Sequence, residues 1–187
     1  MRIGIDLDGV VFDTIGELVR LYNLEYDDNL QREDIKSWET ARFVKCGEEI
    51  YRYFYDEAFY ANLPLMDGVL EVMGRLDKKH ELVLVSDTPA VGMVNRSRQL
   101  EKVFPVDQFR FMREKNIIYT ARKDLVDIDL LLDDKPENIE DFHRTGKGWA
   151  VVFDWPYNRH LRNYRRIKNW WEFEELIESH SRIGALA

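Results

Sequence analysis

Apolar residues along the chain gather in short runs, separated by stretches in which they recur at helical spacing. RIGIDL (2–7), ELVLVS (81–86), IDLLLD (128–133) and WAVVFD (149–154) are rich in Leu, Ile and Val, and NIIYT (116–120) is a further run of the same kind. Short runs that are apolar throughout predict strands covered on both faces. Val69, Val72, Met73 and Leu76 fall at i, i+3, i+4 and i+7, which predicts a helix, and a similar stripe through Trp171 and Glu174 to Ile177 predicts another near the end of the chain. Strands alternating with helices predict an α/β fold on a parallel sheet. Ligands of such sheets bind beyond the carboxyl ends of the strands, so the polar residues that close each apolar run carry the functional signal.

The stretch from 16 to 66 breaks the alternation and is too long for a simple crossover. Trp38, Phe43, Tyr51, Tyr53, Phe54, Tyr55, Phe59 and Tyr60 stand there among many charges, a composition that predicts several short helices packed as a lid. The expected organisation is a core domain of residues 1–15 and 67–187 with a helical cap domain, 16–66, inserted after the first strand. No Gly/Ser linker flanks the insertion, so the cap is expected to pack directly on the sheet.

Charge and composition narrow the partners. A net charge of −8 repels the phosphate backbone of DNA or RNA, so no nucleic-acid polymer is expected as a ligand. No apolar run approaches the roughly 18 residues that a membrane span needs. Cys46 is the single cysteine and has no internal disulfide partner, and MRIGIDLDG opens without a basic stretch leading into an apolar signal segment. A soluble, cytoplasmic protein is the expectation.

The chemistry lies at the strand ends. Asp6 and Asp8 stand two residues apart where the first run closes, and an extended chain sends both side chains to one side. Gly9 then allows a sharp turn. Adjacent carboxylates repel one another, and a bound cation relieves the cost. A second acidic pair, Asp133 and Asp134 in LLLDDKP, closes another strand on the same edge of the sheet. Hard oxygen ligands without His or Cys nearby favour Mg²⁺ over zinc.

The order DLDG, Ser86 at the end of the second strand, Lys123, and the DD pair resembles the motifs of the haloacid dehalogenase superfamily: DxDx[TV], with Val10 at its fifth position, then Ser/Thr, Lys and DD. RKDLVDIDLLLDDKPENI, with Lys123 ten residues before Asp133, further resembles the 5'(3')-deoxyribonucleotidases. FYANLPLMDGVLEVMGRL and FDWPYNRHL are similar to other segments of that family. The resemblance implies a Rossmann-like parallel sheet, a helical cap, Mg²⁺, and hydrolysis of a small phosphomonoester. A (deoxy)nucleoside monophosphate is the expected substrate, with another small phosphorylated metabolite as the alternative. A phosphoacceptor domain of receiver type shares the aspartates and the lysine but needs neither a lid nor Asp8. A second copy of the chain is a candidate partner in a homodimer.

By that resemblance Asp6 is the nucleophile and gives an aspartyl-phosphate. Asp8 is the general acid and then the base, and its backbone carbonyl touches the metal. Asp133 is expected to ligate the metal directly together with Asp6, with Asp134 acting through a water, although the sequence also admits the reverse order. Lys123 neutralises the phosphoryl oxygens and Asp6. At SDTP (86–89) either Ser86 or Thr88 supplies the phosphate-contacting hydroxyl, and Ser86 is favoured because it ends the strand directly. Asp13 either caps the first cap helix or bonds at the site mouth. Asn158 and His160 are expected to be solvated loop residues, and Arg159, Arg162, Arg165, Arg166 and Lys168 a solvated helix face. The cap aromatics Trp38, Phe43 and Tyr53 are expected mainly in the cap's own core.

Overall fold

The computed structural model describes the backbone of residues 1–184 and the side chains of residues 1–180. The strands are β1 (Arg2–Ile5), β2 (Glu81–Ser86), β3 (Ile117–Tyr119), β4 (Leu130–Asp133), β5 (Trp149–Phe153) and β6 (Arg165–Ile167). They form one six-stranded sheet in the order β3-β2-β1-β4-β5-β6, and every pairing is parallel. β1 lies inside the sheet, with Ile3 opposite Leu82 on one side and Leu130 on the other.

Both faces are covered, as a parallel sheet requires. Leu82, Leu84, Leu130, Leu132, Val151 and Phe153 pack into one apolar cluster. Their alternating neighbours Val83, Val85, Leu131, Ala150 and Val152 pack into a second, with Ile139 and Phe142. The strand period of two thus divides one set of apolar runs between two cores. The first contains α3 (Val69–Lys79), α4 (Met93–Val103), α5 (Arg110–Arg113) and α7 (Trp170–Gly184), and the second is closed by α6 (Pro136–Arg144).

Two readings of the sequence are corrected here. Arg165 and Arg166, expected on a solvated helix face, lie with Ile167 in edge strand β6 against Val151–Phe153. An edge strand needs few inward residues, and in this one Ile167, 2% exposed, meets the core. The buried stripe of α7 is Trp170, Phe173 and Ile177, whereas Trp171 is exposed.

Between β1 and α3 the chain forms α1 (Thr14–Tyr26), 3-10 turns at Arg32–Asp34, Thr40–Phe43 and Gly47–Tyr55, and α2 (Glu57–Asn62). The expected short helices are therefore largely 3-10, in a segment dense in aromatic residues of modest helix propensity. Asp13 caps α1, accepting from the Gly16 amide at 3.0 Å. The outgoing and returning segments run side by side: Asp13 N donates to Pro64 O and Met66 N to Val11 O, each at 2.9 Å. Among the described residues no helix is long and apolar enough to cross a membrane.

Candidate active site

The Asp6 amide donates to Leu132 O at 2.9 Å, prolonging the β1–β4 ladder by one step. This sets Asp6 at the carboxyl edge of the sheet beside the end of β4, where Asp133 and Asp134 follow. The chain then folds tightly: Val11 N and Phe12 N both donate to Leu7 O at 2.9 Å, and Gly9 takes φ +76°. A side chain there would be strained, and its Cβ would overlap Asp134 Oδ2. The carbonyls of Gly9 and Val10 accept from the indoles of Trp155 and Trp170 at 2.7 and 2.9 Å. Two tryptophans thereby fix the turn between Asp6 and α1.

Lys123, buried in a 3-10 turn (Lys123–Leu125), donates to Asp6 Oδ1 and, at 2.7 Å, to Asp133 Oδ2. Asp133 also accepts from the Lys135 amide at 2.8 Å and from Asn138 Nδ2 at 3.0 and 3.3 Å, so both its oxygens are engaged. Asp134 differs. Its Oδ2 accepts from the Tyr157 hydroxyl, while its Oδ1 is buried and, among the described residues, has no partner. One carboxylate oxygen from each of Asp6, Asp133 and Asp134 lies within 4.8 Å of the others.

Three buried carboxylates against one ammonium leave two negative charges uncompensated. Burial pushes the Asp6 carboxyl up to about 7; Lys123 opposes this, while Asp133 and Asp8 add to it. Burial, then Asp6 and Asp133, hold Asp134 well above the usual carboxylate range. For Lys123 burial favours the neutral amine, but the charges of Asp133 and Asp6 outweigh it and keep its proton bound more tightly than normal. A pocket of oxygen donors that holds two excess negative charges once its protons leave fits a hard divalent cation, which replaces those protons.

Asp8 Oδ1 accepts from the Thr14 hydroxyl at 2.6 Å and from the Arg96 guanidinium. Past the end of β2, Ser86 Oγ and Thr88 Oγ1 lie 2.8 Å apart, both buried; their neighbours Asp87 and Pro89 line the adjacent cavity, whereas these two hydroxyls do not. This cavity, of about 240 Å³, opens over the cluster. Asp6, Asp8, Lys123 and Asp134 line its polar end, and Trp38, Tyr51, Phe54 and Tyr60 contribute aromatic walls from the segment between β1 and α3.

Some expectations fall elsewhere. Trp38, expected in the core of the inserted segment, lines the cavity and lies under Lys135 Nζ at 5.3 Å, whereas Phe43 and Tyr53 stay out of the cavity as expected and Tyr53 stacks on Phe59 at 6.3 Å. Asn158 is not solvated: it is 0% exposed and donates to Asp134 O and Phe153 O, each at 2.8 Å. His160 is exposed. Arg96 carried no signal in the sequence, since a helical arginine between Asn95 and Ser97 reads as a surface residue.

Residues 1–183 match the family described as "5' nucleotidase, deoxy (Pyrimidine), cytosolic type C protein". A 5'(3')-deoxyribonucleotidase of Clostridium acetobutylicum is 32% identical over 179 residues, covering 95% of this chain and 94% of the relative. One from Bacillus subtilis is 28% identical over 175 residues, covering 94% and 97%. Among solved structures, a haloacid dehalogenase superfamily hydrolase of Geobacter sulfurreducens aligns with a TM-score of 0.59 at 16% identity, covering 94% of this chain and 95% of the other. A haloacid dehalogenase-like protein of Agrobacterium tumefaciens gives 0.61 at 14% identity, covering 96% and 98%. The sheet order, the strand-end aspartates and a match over nearly the whole chain agree: the protein belongs to the cytosolic type C 5' nucleotidase family and has the haloacid dehalogenase fold.

Proposed function

We propose that the protein is a phosphomonoesterase of nucleotidase type that hydrolyses (deoxy)nucleoside monophosphates through an aspartyl-phosphate on Asp6. The observation that carries this reading is the position of Asp6: at the end of β1, bonded to Lys123, and lining a cavity with aromatic walls. Asp6 attacks phosphorus as the bond to the ester oxygen breaks, and Asp8 gives its proton to the departing alcohol. Asp8 then takes a proton from the water that attacks the aspartyl-phosphate, releasing phosphate and restoring Asp6. Lys123 faces the charge that develops on the phosphoryl oxygens, and we assign the Ser86–Thr88 pair, buried beside the cavity-lining Asp87 and Pro89, as a further contact to them. The cap, residues 16–66, shields these steps from bulk water, and its aromatic side chains suit a flat base better than a sugar phosphate.

Mg²⁺ is the cation we assign to the site; when bound, it supplies positive charge that offsets an anionic substrate among the carboxylates. Asp6, the Asp8 carbonyl and Asp134 would hold it. The fully engaged oxygens of Asp133 and the unpartnered Oδ1 of Asp134 support this order, in which Asp134 is the direct ligand and Asp133 anchors Lys123. It exchanges the two roles anticipated from the sequence.

Phosphate release should be measured over a panel of nucleoside monophosphates and sugar phosphates near 1 mM, roughly a typical upper KM. Nucleotides should be the best substrates, and Asp6→Asn should abolish turnover. Sugar phosphates turning over faster would overturn the substrate assignment, and an active Asp6→Asn variant the covalent mechanism.

A further inference from the structure

We propose that Arg96 is a positioning residue for Asp8, fixing which carboxylate oxygen faces the substrate. This rests on the reading of Asp8 as the proton donor and acceptor. Arg96 stands on α4 (Met93–Val103) and is 0% exposed, an uncommon place for an arginine. Its guanidinium is held between two rings, Phe12 from the turn that follows Asp8 and Tyr60 from the cap, with centroids at 5.0 and 4.8 Å. One terminal nitrogen donates to Gln99 Oε1 at 2.8 Å, and the other donates to Asp8 Oδ1.

The partners that Arg96 lacks are informative. Among the described residues its Nε and the Gln99 Nε2 are both buried without acceptors, so full satisfaction of its own donors does not account for the burial of Arg96. The fixed fork is aimed at the one carboxylate of the cluster that remains partly exposed, Asp8 at 24%. Arg96 does not itself line the cavity, whereas Asp8, Thr14 and Tyr60 do.

The Thr14 hydroxyl, 2.6 Å away, occupies the same Oδ1. Two donors fill the two lone pairs of Oδ1, and among the described residues no protein group donates to Oδ2. Oδ2 is therefore the oxygen left to exchange a proton with the substrate, and the anchored Oδ1 stops the carboxylate from rotating. The cap contributes to this lock. Tyr60 on α2 sits so close to the start of α4 that a Cβ on Gly92 would come within 2.9 Å of its ring. Seating of the cap thus completes the sandwich that holds the guanidinium on Asp8.

A double-mutant cycle separates this role from mere packing. Arg96→Met keeps a long apolar stem between the two rings, and Asp8→Asn removes the transferable proton. Each variant and the combination are compared in single-turnover phosphoryl transfer from a nucleoside monophosphate and from para-nitrophenyl phosphate. Arg96→Met should lower the rate with the nucleotide by about 10–100-fold, in line with misplacement of a reacting group, and change KM by less than about 3-fold. The loss should be smaller with para-nitrophenyl phosphate, whose leaving group needs little acid. In the Asp8→Asn background Arg96→Met should cost less than about 2-fold. An equal loss in both backgrounds, or no loss in the first, overturns the proposal while leaving the role of Asp8 intact. A wild-type rate for Asp8→Asn alone overturns that role and this one with it. Should Arg96→Met fail to fold, Arg96→Lys decides. A lysine cannot reach Gln99 and Asp8 together, so its smaller loss must likewise vanish beside Asp8→Asn.

Discussion

The Lys123 ammonium lies 2.7 Å from Asp133 Oδ2 with both side chains sealed from solvent, and it donates at the same time to Asp6. One cation thus holds the ends of two neighbouring strands, β1 and β4, in a single electrostatic unit. Replacing Lys123 by Met leaves three carboxylates buried together. In the metal-free protein the free energy of unfolding in urea should fall by about 3–5 kcal/mol, the usual cost of breaking a buried pair. Turnover should drop by about 10²–10³-fold even with Mg²⁺. Arginine should not restore it, because a wider fork does not fit a fully buried site. A variant as stable as the parent in EDTA would show that Lys123 does not offset this charge.

The same charge excess makes stability depend jointly on pH and metal. In the folded protein the Asp6 carboxyl is pushed up to about 7 from an ordinary 3.8, so the native state holds this proton more tightly than the unfolded chain. The contribution is fully present below about pH 4 and is lost as pH rises through about 7; the whole shift corresponds to a few kcal/mol at most. Asp134 is raised for the same reason and acts in the same direction. In EDTA, thermal stability should therefore decline between roughly pH 4 and pH 7. Mg²⁺ should raise the melting temperature more at about pH 7.5 than at about pH 5, since the cation replaces the protons. A gain from Mg²⁺ equal at both pH values would refute the coupling.

Much of the fold was legible because interior parallel strands must be apolar on both faces, and β1, β2, β4 and β5 advertise this in runs such as LVLVS and DLLLD. Edge strand β6 was not, since one neighbour demands little beyond Ile167 while Arg165 and Arg166 dominate its composition. The acidic pairs were legible because sheet order alone brings the ends of adjacent β1 and β4 together. Arg96 and Asn158 were not. Their burial depends on how α4 meets the turn after Asp6 and how the chain beyond β5 folds back, and nothing in their immediate neighbours records either.

Asn158 gives a test of that hidden support. Its Nδ2 donates to Asp134 O and Phe153 O at 2.8 Å, while its Oδ1 accepts from the Trp155 amide at 3.1 Å and from Arg166 at 2.6 Å. Asn158→Ala should destabilise the protein by about 3 kcal/mol by leaving these buried groups unpaired. The concentration of Mg²⁺ giving half-maximal activity should rise by about 10–100-fold, because Asp134 loses its outer support. Asn158→Asp should do no better, since it turns an anion toward two carbonyl oxygens. A surface residue would tolerate either change within about 0.5 kcal/mol, and that outcome would remove Asn158 from the site's framework.

Asp133 and Asp134 are adjacent in sequence yet partnered oppositely, and their substitutions should fail in different ways. Asp134 has one oxygen free, so Asp134→Asn should weaken metal binding: saturation with Mg²⁺ should shift upward by at least about 10-fold, with much of kcat regained at saturation. Asp133 is filled by Lys123, the Lys135 amide and Asn138. Asp133→Asn should instead release the lysine, lowering kcat by about 10²-fold or more at every Mg²⁺ concentration while the midpoint of saturation changes little. Asp133→Asn should also lower the stability of the metal-free protein less than Lys123→Met does, because it removes one buried negative charge along with the ion pair. Activity measured against Mg²⁺ concentration, beside calorimetric titration of the metal, separates the two patterns. If Asp133→Asn shifts the midpoint and Asp134→Asn leaves it unchanged, the assignment of Asp134 as the direct ligand is wrong and the order first read from the sequence is restored.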